Sequence, residues 1–285
     1  MSIKGAILGD ILGSQYEFNR PKNLDWENVP LLKESKAAFT DDTVMTLAIK
    51  KAIIDNEAAN TDATANAEKN ANNDNAIIDN KDLVKTMVEV GRRYPNSGYG
   101  GRFYNWIKGR NPEPYNSWGN GSAMRVSFVG EYYDDFDMMQ KMAAKTAEVS
   151  HNHPEGIKGA VVTATCIWMA RCGKSKQDIY DYVLSEYPKD DYEYSIAYSL
   201  DEIRQRYEWN ESCQGSVPAA MRCLYEADNY EEFIRNIYSL PCDSDTFGAI
   251  AGSVAEELFG GFGDIDAEGI IKDYLTDDLY EIYSA

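Results

Sequence analysis

Hydrophobic residues recur with the period of an α-helix through most of this chain. Apolar side chains fall at positions i, i+3, i+4 and i+7 in segments such as VMTLAIKKAII, GIKGAVVTATCIWMARC and FGAIAGSVAEELFG. Alternation of apolar and polar residues, the mark of a half-buried strand, is scarce. The pattern predicts an all-α protein of roughly ten to thirteen helices joined by short loops, with essentially no sheet.

The first of these helices carries a stripe of glycines. Gly5, Gly9 and Gly13 recur every four residues within GAILGDILG. Glycine lowers helix propensity, so something must compensate for this stripe. We expect it to permit close packing against another helix.

Charge and cysteine usage narrow the class of protein. The net charge of -19 and the pI near 4.5 argue against binding a nucleic-acid backbone. No apolar run approaches the ~20 residues of a membrane span, and charges interrupt the N-terminal segment, unlike a signal peptide. Five cysteines without CxxC spacing suit reduced thiols. The expectation is a cytoplasmic protein, a monomer by default because no interface stands out.

The segment Asn56–Asn80 differs in composition from the rest of the chain. It is rich in Asn, Ala and Asp, lacks aromatic residues, and begins and ends near copies of AIIDN. Such composition predicts a low-complexity surface insertion.

Two acidic clusters with hydroxyls open helix-like segments far apart in the chain. FTDDT carries Thr40, Asp41 and Asp42, and CDSDT carries Asp243, Asp245 and Thr246. Helix capping explains one such residue at each start, whereas adjacent carboxylates repel one another unless a cation lies between them. An EF-hand is not supported, because its twelfth position would be Val254 instead of Glu.

The two clusters together provide the ligands for a metal centre. Their four carboxylates and at least two hydroxyls suit two divalent cations about 3.5–4 Å apart. Only two histidines are present, so any metal would be held mainly by oxygen, which favours Mg²⁺, Mn²⁺ or Ca²⁺. Capping and metal binding both remain open from spacing alone.

Three further segments are candidates for a site. Glu17 follows the glycine-striped helix, where an exposed acid would be ordinary. SWGNGSAMR offers small residues before a helix, which suits either a turn or a phosphate cradle. SHNHPEG places His151 and His153 before Pro154, at a helix start, with the rings either facing solvent or lining a site.

Taken together and in order, these motifs resemble those of the ADP-ribosylglycohydrolase family, the group of dinitrogenase reductase-activating glycohydrolase and the ADP-ribosyl-acceptor hydrolases. The matching segments are GAILGDILGSQYEF, FTDDTVMTLA, GYGGRF, SWGNGSAMRV, SHNHPEGIKGA and DSDTFGAIAGSVAEELFG. The resemblance implies an all-α orthogonal multi-helix bundle forming a single domain over residues 1–285. It also implies two Mg²⁺, or Mn²⁺, at the base of a cleft.

The resemblance also implies roles for individual residues. The metal ligands would be Thr40, Asp41, Asp42, Asp243, Asp245 and Thr246. The catalytic carboxylates would come from Glu17, Asp41 and Asp243, with Glu17 on a mobile segment. The substrate contacts would be Gly98, Tyr99, Gly100, Ser117, Trp118, Asn120, Gly121 and His151, with Trp118 near adenine.

The activity that the resemblance implies is hydrolysis at ribose C1″ of an ADP-ribosylated protein or small molecule, through an oxocarbenium-like state. One departure from the family pattern is Pro241-Cys242, where relatives commonly have Gly-Gly before the second acidic cluster. Proline lacks the conformational freedom of glycine. A catalytically weak member that only binds ADP-ribose or a nucleotide is therefore the alternative. A metal-dependent phosphoesterase is the third possibility.

Overall fold

A computed structural model describes residues 3–18, 20–65 and 77–285, and helices dominate these ranges. The helices are α1 (Lys4–Ser14), α2 (Asp41–Ala65), α3 (Asn80–Arg93), α4 (Gly101–Lys108), α5 (Gly121–Met124), α6 (Ser127–Tyr132), α7 (Phe136–Glu148), α8 (Pro154–Arg171), α9 (Lys176–Glu186), α10 (Leu200–Arg204), α11 (Cys213–Tyr225), α12 (Tyr230–Tyr238), α13 (Ser244–Phe259), α14 (Ala267–Tyr274) and α15 (Asp277–Ser284). Within the described ranges, β-pairing is limited to an isolated bridge between Gly119 and Ser212.

The all-α class predicted from the periodicity is confirmed, but the helix count of ten to thirteen was too low. The described residues contain fifteen helices, and α5, α6 and α10 have only four to six residues each. Helices this short complete too few turns to show a hydrophobic period. In the described part of the chain, no helix has both the length and the apolar character that a membrane span needs.

The core is organised around α13 and α8. Helix α13 packs against α1, α8, α11 and α12, while α8 also packs against α5, α6 and α7. More than half of the residues in each helix are buried, as expected for helices with small and apolar residues on more than one face.

The glycine stripe of α1 meets a matching stripe on α13, so the predicted close packing is confirmed. A methyl group added at Gly9 would lie 2.3 Å from the carbonyl oxygen of Gly248, and one at Gly5 would lie 2.1 Å from that of Gly252. At the end of the stripe, Ser244 Oγ donates to the Gly13 carbonyl at 2.7 Å. The contact fixes the C-terminal end of α1 beside the first turn of α13.

The predicted insertion lies partly within the described residues. Helix α2 continues through Asn56 to Ala65, and Glu57, Ala58 and Ala59 are exposed. Residues 66–76 lie outside the described ranges.

Replacing Gly9 with alanine should destabilise the protein. The new methyl group collides with backbone atoms, which cannot rotate away as a side chain can, so α1 and α13 must separate. We expect Gly9→Ala to lower the free energy of unfolding by about 3 kcal/mol or more, measured by urea denaturation.

Gly101→Ala is the matched control, because a methyl group there meets no atom within 4 Å. It begins α4, so alanine should leave stability unchanged or slightly higher. Equal effects of the two substitutions would contradict the close-packing explanation.

Candidate active site

The start of α2, the start of α13 and the segment after α1 meet at a cleft of about 470 Å³. Of the residues predicted from the sequence, the cleft is lined by Glu17, Asp41, Asp42, Gly98, Tyr99, Gly100, Ser117, Asn120, Gly121, His151, Asp243, Asp245 and Thr246. Thr40 is buried beside them, and Trp118 lies in an adjoining cavity.

The two acidic clusters lie together, although about two hundred residues separate them. Thr246 Oγ1, on the first turn of α13, lies 3.4 Å from Asp42 Oδ2, on the first turn of α2. Thr40 Oγ1 donates to the same carboxylate oxygen at 3.2 Å. One carboxylate oxygen from each of Glu17, Asp243 and Asp245 lies within 4.8 Å of the others. The clusters therefore form one acidic floor.

Helix capping does not account for the carboxylates of this floor. Asp243 occupies the N-cap position of α13 without a capping hydrogen bond from its side chain. It accepts instead from Asn120 Nδ2 at 2.7 Å. Asp42 receives a bond from Thr40 and, like Asp245, has one buried oxygen without a hydrogen-bond partner among the described residues.

Asp10 caps α2 from another helix and was missed in the sequence. Its Oδ2 accepts the backbone N–H of Thr40 at 2.9 Å and that of Thr43 at 3.0 Å, together with the Thr43 hydroxyl. The side chain is fully buried on α1. The available signal was a single charged residue within the apolar GAILGDILG segment, since an isolated buried acid needs hydrogen-bond donors.

Burial and mutual repulsion disfavour the charged forms of these acids in the protein alone. Burial, and then the charge of Asp243, raise the pKa of Glu17 to about 8. Burial raises the pKa of Asp10 to about 6. Loss of solvation and then neighbouring acids hold the pKa values of Asp41, Asp42 and Asp245 well above the usual range.

The donor set fits divalent cations. The floor combines crowded carboxylates with unpartnered oxygens of Asp42 and Asp245 and the hydroxyls of Thr40 and Thr246. A hard cation such as Mg²⁺ or Mn²⁺ prefers this all-oxygen environment and would relieve the repulsion.

A glycine-rich loop forms one wall of the cleft. Gly98 has φ of +98°, which favours glycine, and Gly100 is the N-cap residue of α4. Methyl groups at Gly100 and Gly101 would meet no atom within 4 Å, so the loop leaves open space above the floor. Arg102 lies beside this loop and was not predicted.

The loop before α5 forms another wall of the cleft. Asn120 is buried and bridges Asp243 and Ser216, which indicates a supporting position instead of free contact with a ligand. Trp118 is 47% exposed and lines an adjoining cavity of about 420 Å³ with Trp209. The two cavities share Arg102, Ser117, Gly119 and Glu211.

The two histidines have different environments. His153 caps α8, its Nδ1 accepting the backbone N–H of Glu155 at 3.1 Å. His151 is buried against the cleft, where burial and then the charge of Arg125 lower its pKa well below the usual value. His153 is thus a helix cap, whereas His151 lines the cleft.

Several cleft residues had no clear sequence signal. Phe18 extends from the segment that carries Glu17, and its ring lies 5.7 Å from that of Trp209. Glu211 receives a bond from Trp209 Nε1 at 2.9 Å and lies in the loop before α11. Phe18 ends the motif GAILGDILGSQYEF without a role suggested by it, and Glu211 lies in a segment without periodicity or a recognised motif, so only the tertiary structure locates them.

Comparison with known proteins identifies the class. A family model described as ADP-ribosylglycohydrolase matches residues 2–256. The chain therefore belongs to the ADP-ribosylglycohydrolase family, as its motifs indicated.

Its relatives include ADP-ribosylhydrolase ARH3 of Gallus gallus, 25% identical over 90% of this chain and 84% of the relative. ARH3 of Homo sapiens is 26% identical, the match covering 62% of this chain and 50% of the human protein. A putative ADP-ribosyl glycohydrolase of Acanthamoeba polyphaga mimivirus is 25% identical over 90% of this chain and 86% of its own length. A solved structure described as an ADP-ribosylglycohydrolase-related protein complex has the same fold, with a TM-score of 0.70 and 20% sequence identity. The match covers 99% of this chain and 93% of the chain in that structure.

Removing the Asp10 carboxylate should destabilise the floor. Asp10→Ala leaves two buried N–H groups at the start of α2 without an acceptor, each costing about 1–3 kcal/mol. We expect a loss of about 2–4 kcal/mol of unfolding free energy in urea denaturation, with weaker Mg²⁺ binding. Asp79→Ala, which removes an exposed cap of α3 bonded to Lys81, should cost only about 1 kcal/mol. Similar losses would refute the role of Asp10.

Stability without divalent cations should fall as pH rises. Glu17 has a higher pKa in the folded protein, about 8, than its ordinary 4.5, so the folded state retains a proton that the unfolded state releases. The stability that this proton provides is complete below the unfolded pKa and is lost as pH rises through the folded pKa.

We expect Tm to decrease from about pH 5 to about pH 8 in scanning calorimetry, and added Mg²⁺ to raise Tm more at the higher pH. Glu17→Gln should reduce this pH dependence. Equal Mg²⁺ effects at both pH values would count against a cation bound to the floor.

Proposed function

We propose that this protein is a divalent-metal-dependent hydrolase that cleaves the ribose C1″ glycosidic bond of ADP-ribosylated acceptors. The observation that carries the proposal is the convergence of Glu17 and both Asp/Thr clusters at the base of one cleft, in a member of the ADP-ribosylglycohydrolase family. Acidic floors of this kind suit a sugar whose reaction develops positive charge.

The proposed metal ligands are the oxygen donors of the floor. They are Thr40, Asp41, Asp42, Asp243, Asp245 and Thr246, with Glu17 beside them. When bound, two Mg²⁺ or Mn²⁺ would offset the carboxylate charge, hold ribose hydroxyls and acidify a bound water.

Among the three catalytic candidates, Glu17 best suits proton transfer. Asp243 is tied to Asn120, and Asp41 lies in the first turn of α2 with its N–H bonded to Ser97 O at 2.6 Å. Glu17 lies outside any helix, is partly exposed and faces the cleft. We assign it the proton that water loses or that the leaving group gains.

The two cavities can accommodate an elongated nucleoside diphosphate sugar such as ADP-ribose. The N–H groups at the start of α4 and the guanidinium of Arg102 favour an anionic diphosphate beside the Gly98–Gly101 loop. Trp118 and Trp209 offer flat apolar faces in the adjoining cavity, where adenine would stack. The ribose to be cleaved would then lie above the carboxylates.

The Pro241-Cys242 pair does not separate the second acidic cluster from Glu17. Neither residue has a positive φ, and Cys242 is buried. Asp243 and Asp245 follow directly, and a carboxylate oxygen of each still lies within 4.8 Å of one from Glu17. The segment therefore places its acids without the conformational freedom of glycine.

Calorimetry and product analysis test the function. We expect ADP-ribose to bind more tightly with Mg²⁺ and ADP-ribosyl-arginine, or an ADP-ribosylated serine peptide, to release ADP-ribose. Asp245→Asn should reduce turnover by at least about a hundredfold, because the floor loses a ligand charge. Asp135→Asn, at the distant cap of α7, should retain full turnover. Release of AMP instead would indicate a phosphoesterase, and binding without turnover of any acceptor would indicate a binding protein.

Trp118→Ala should weaken ADP-ribose binding about tenfold by removing one stacking face, while Mg²⁺ affinity stays unchanged. Phe136→Ala is the control, since Phe136 is a partly exposed aromatic residue at the start of α7. Both affinities come from the same calorimetric titrations. Unchanged ADP-ribose affinity would show that adenine does not stack on Trp118.

A further inference from the structure

Arg125 is a fully buried cation that donates hydrogen bonds to two residues, Thr146 and Ser150, which precede His151 in the chain. It follows α5, and its Nη2 donates to the Thr146 carbonyl at 2.8 Å and to Ser150 Oγ at 2.9 Å. Its guanidinium also lies 5.3 Å from the centre of the Phe103 ring. Arginine has only donors, so Ser150 Oγ must accept in this contact.

Ser150 Oγ, which accepts from Arg125, also contacts His151. Its Oγ lies 2.8 Å from His151 Nδ1. Because a guanidinium N–H occupies one side of the oxygen, the hydroxyl proton is directed away from Arg125. The favourable arrangement has Ser150 donating to Nδ1, which then accepts. A neutral imidazole with an accepting Nδ1 carries its proton on Nε2.

His151 Nε2 lies next to two glycines in the wall of the cleft, Gly119 and Gly121. A methyl group at Gly121 would lie 3.1 Å from Nε2, and one at Gly119 would lie 3.5 Å away. The ring is held between Phe103 and Tyr115, with centroid distances of 6.1 and 5.8 Å. The absence of side chains at both glycines leaves the Nε2 edge uncovered.

We infer that Arg125 and Ser150 are positioning residues that fix His151 as the Nε2–H tautomer, a neutral hydrogen-bond donor directed into the cleft. The group that it meets is an acceptor oxygen, of a phosphate or a sugar hydroxyl. Electrostatics agree with a neutral ring, because burial and then the charges of Arg125 and Arg102 oppose protonation of His151. The choice of ligand rests on the proposed function, whereas the tautomer does not.

Nitrogen NMR tests the tautomer without any ligand. The chain has only two histidines, so long-range ¹H–¹⁵N correlation spectra of the ¹⁵N-labelled protein contain two imidazole patterns. His151→Gln assigns them by removing one. At neutral pH we expect His151 to show a protonated Nε2 and an unprotonated Nδ1. A protonated Nδ1, or an imidazolium, would overturn the inference.

Substitutions test the chain of contacts. Ser150→Ala removes the donor to Nδ1 and should give a mixture of tautomers, with ADP-ribose affinity about tenfold weaker. His151→Gln keeps an N–H donor near the Nε2 position and should retain affinity within about threefold, whereas His151→Ala should lose about tenfold or more. Far-ultraviolet circular dichroism and Tm confirm folding of each variant.

The outcomes separate the two proposals. If wild-type protein fails to bind ADP-ribose, the proposed function fails, while the wild-type NMR pattern still decides the tautomer. If Ser150→Ala folds and retains a pure Nε2–H pattern, Ser150 does not position the ring and the inference is wrong. Equal affinities of His151→Gln and His151→Ala would likewise refute a donor at this position.

Discussion

The backbone contact between α1 and α13 is the interaction on which the site depends. Glycines at matching positions let the two backbones approach so closely that a methyl group added at Gly9 would lie 2.3 Å from the Gly248 carbonyl oxygen. No side-chain contact could bring the ends this close. Glu17 follows α1 and Asp243 precedes α13, so the contact helps to set the distance between two acids of the floor.

The remaining acids reach the same place through hydrogen bonds. Asp10 projects from α1 and holds the first turn of α2, while Asn120 holds Asp243 from the loop before α5. Donors from neighbouring elements thus stabilise carboxylates that repel one another. The divalent cations proposed for this floor would stabilise the folded state, which would link metal affinity to the fold itself.

Much of this arrangement could be read from the sequence, and the exceptions have physical causes. Periodicity and the glycine stripe predicted the helical class and a close helix pair, because both express local geometry. The acidic clusters predicted an oxygen-rich centre, since adjacent acids are costly without a cation. Arg125 and Glu211 escaped notice because their roles arise from long-range packing. The cavity that Trp118 lines beside the cleft could not be read from its motif, because Trp209 and Glu211 complete that cavity from a distant segment.

The pairing of α1 with α13 also has a consequence for synthesis of the chain. Ser244 and Gly13, which meet at its end, are 231 residues apart. On the ribosome, α1 emerges early and exposes its glycine face until α13 follows near the other end of the fold. Closing a loop of this length carries a large entropy cost, so local helix pairs such as α2 with α3 can form first. We therefore expect the acidic floor, which depends on the α1–α13 contact, to assemble after such local helix pairs.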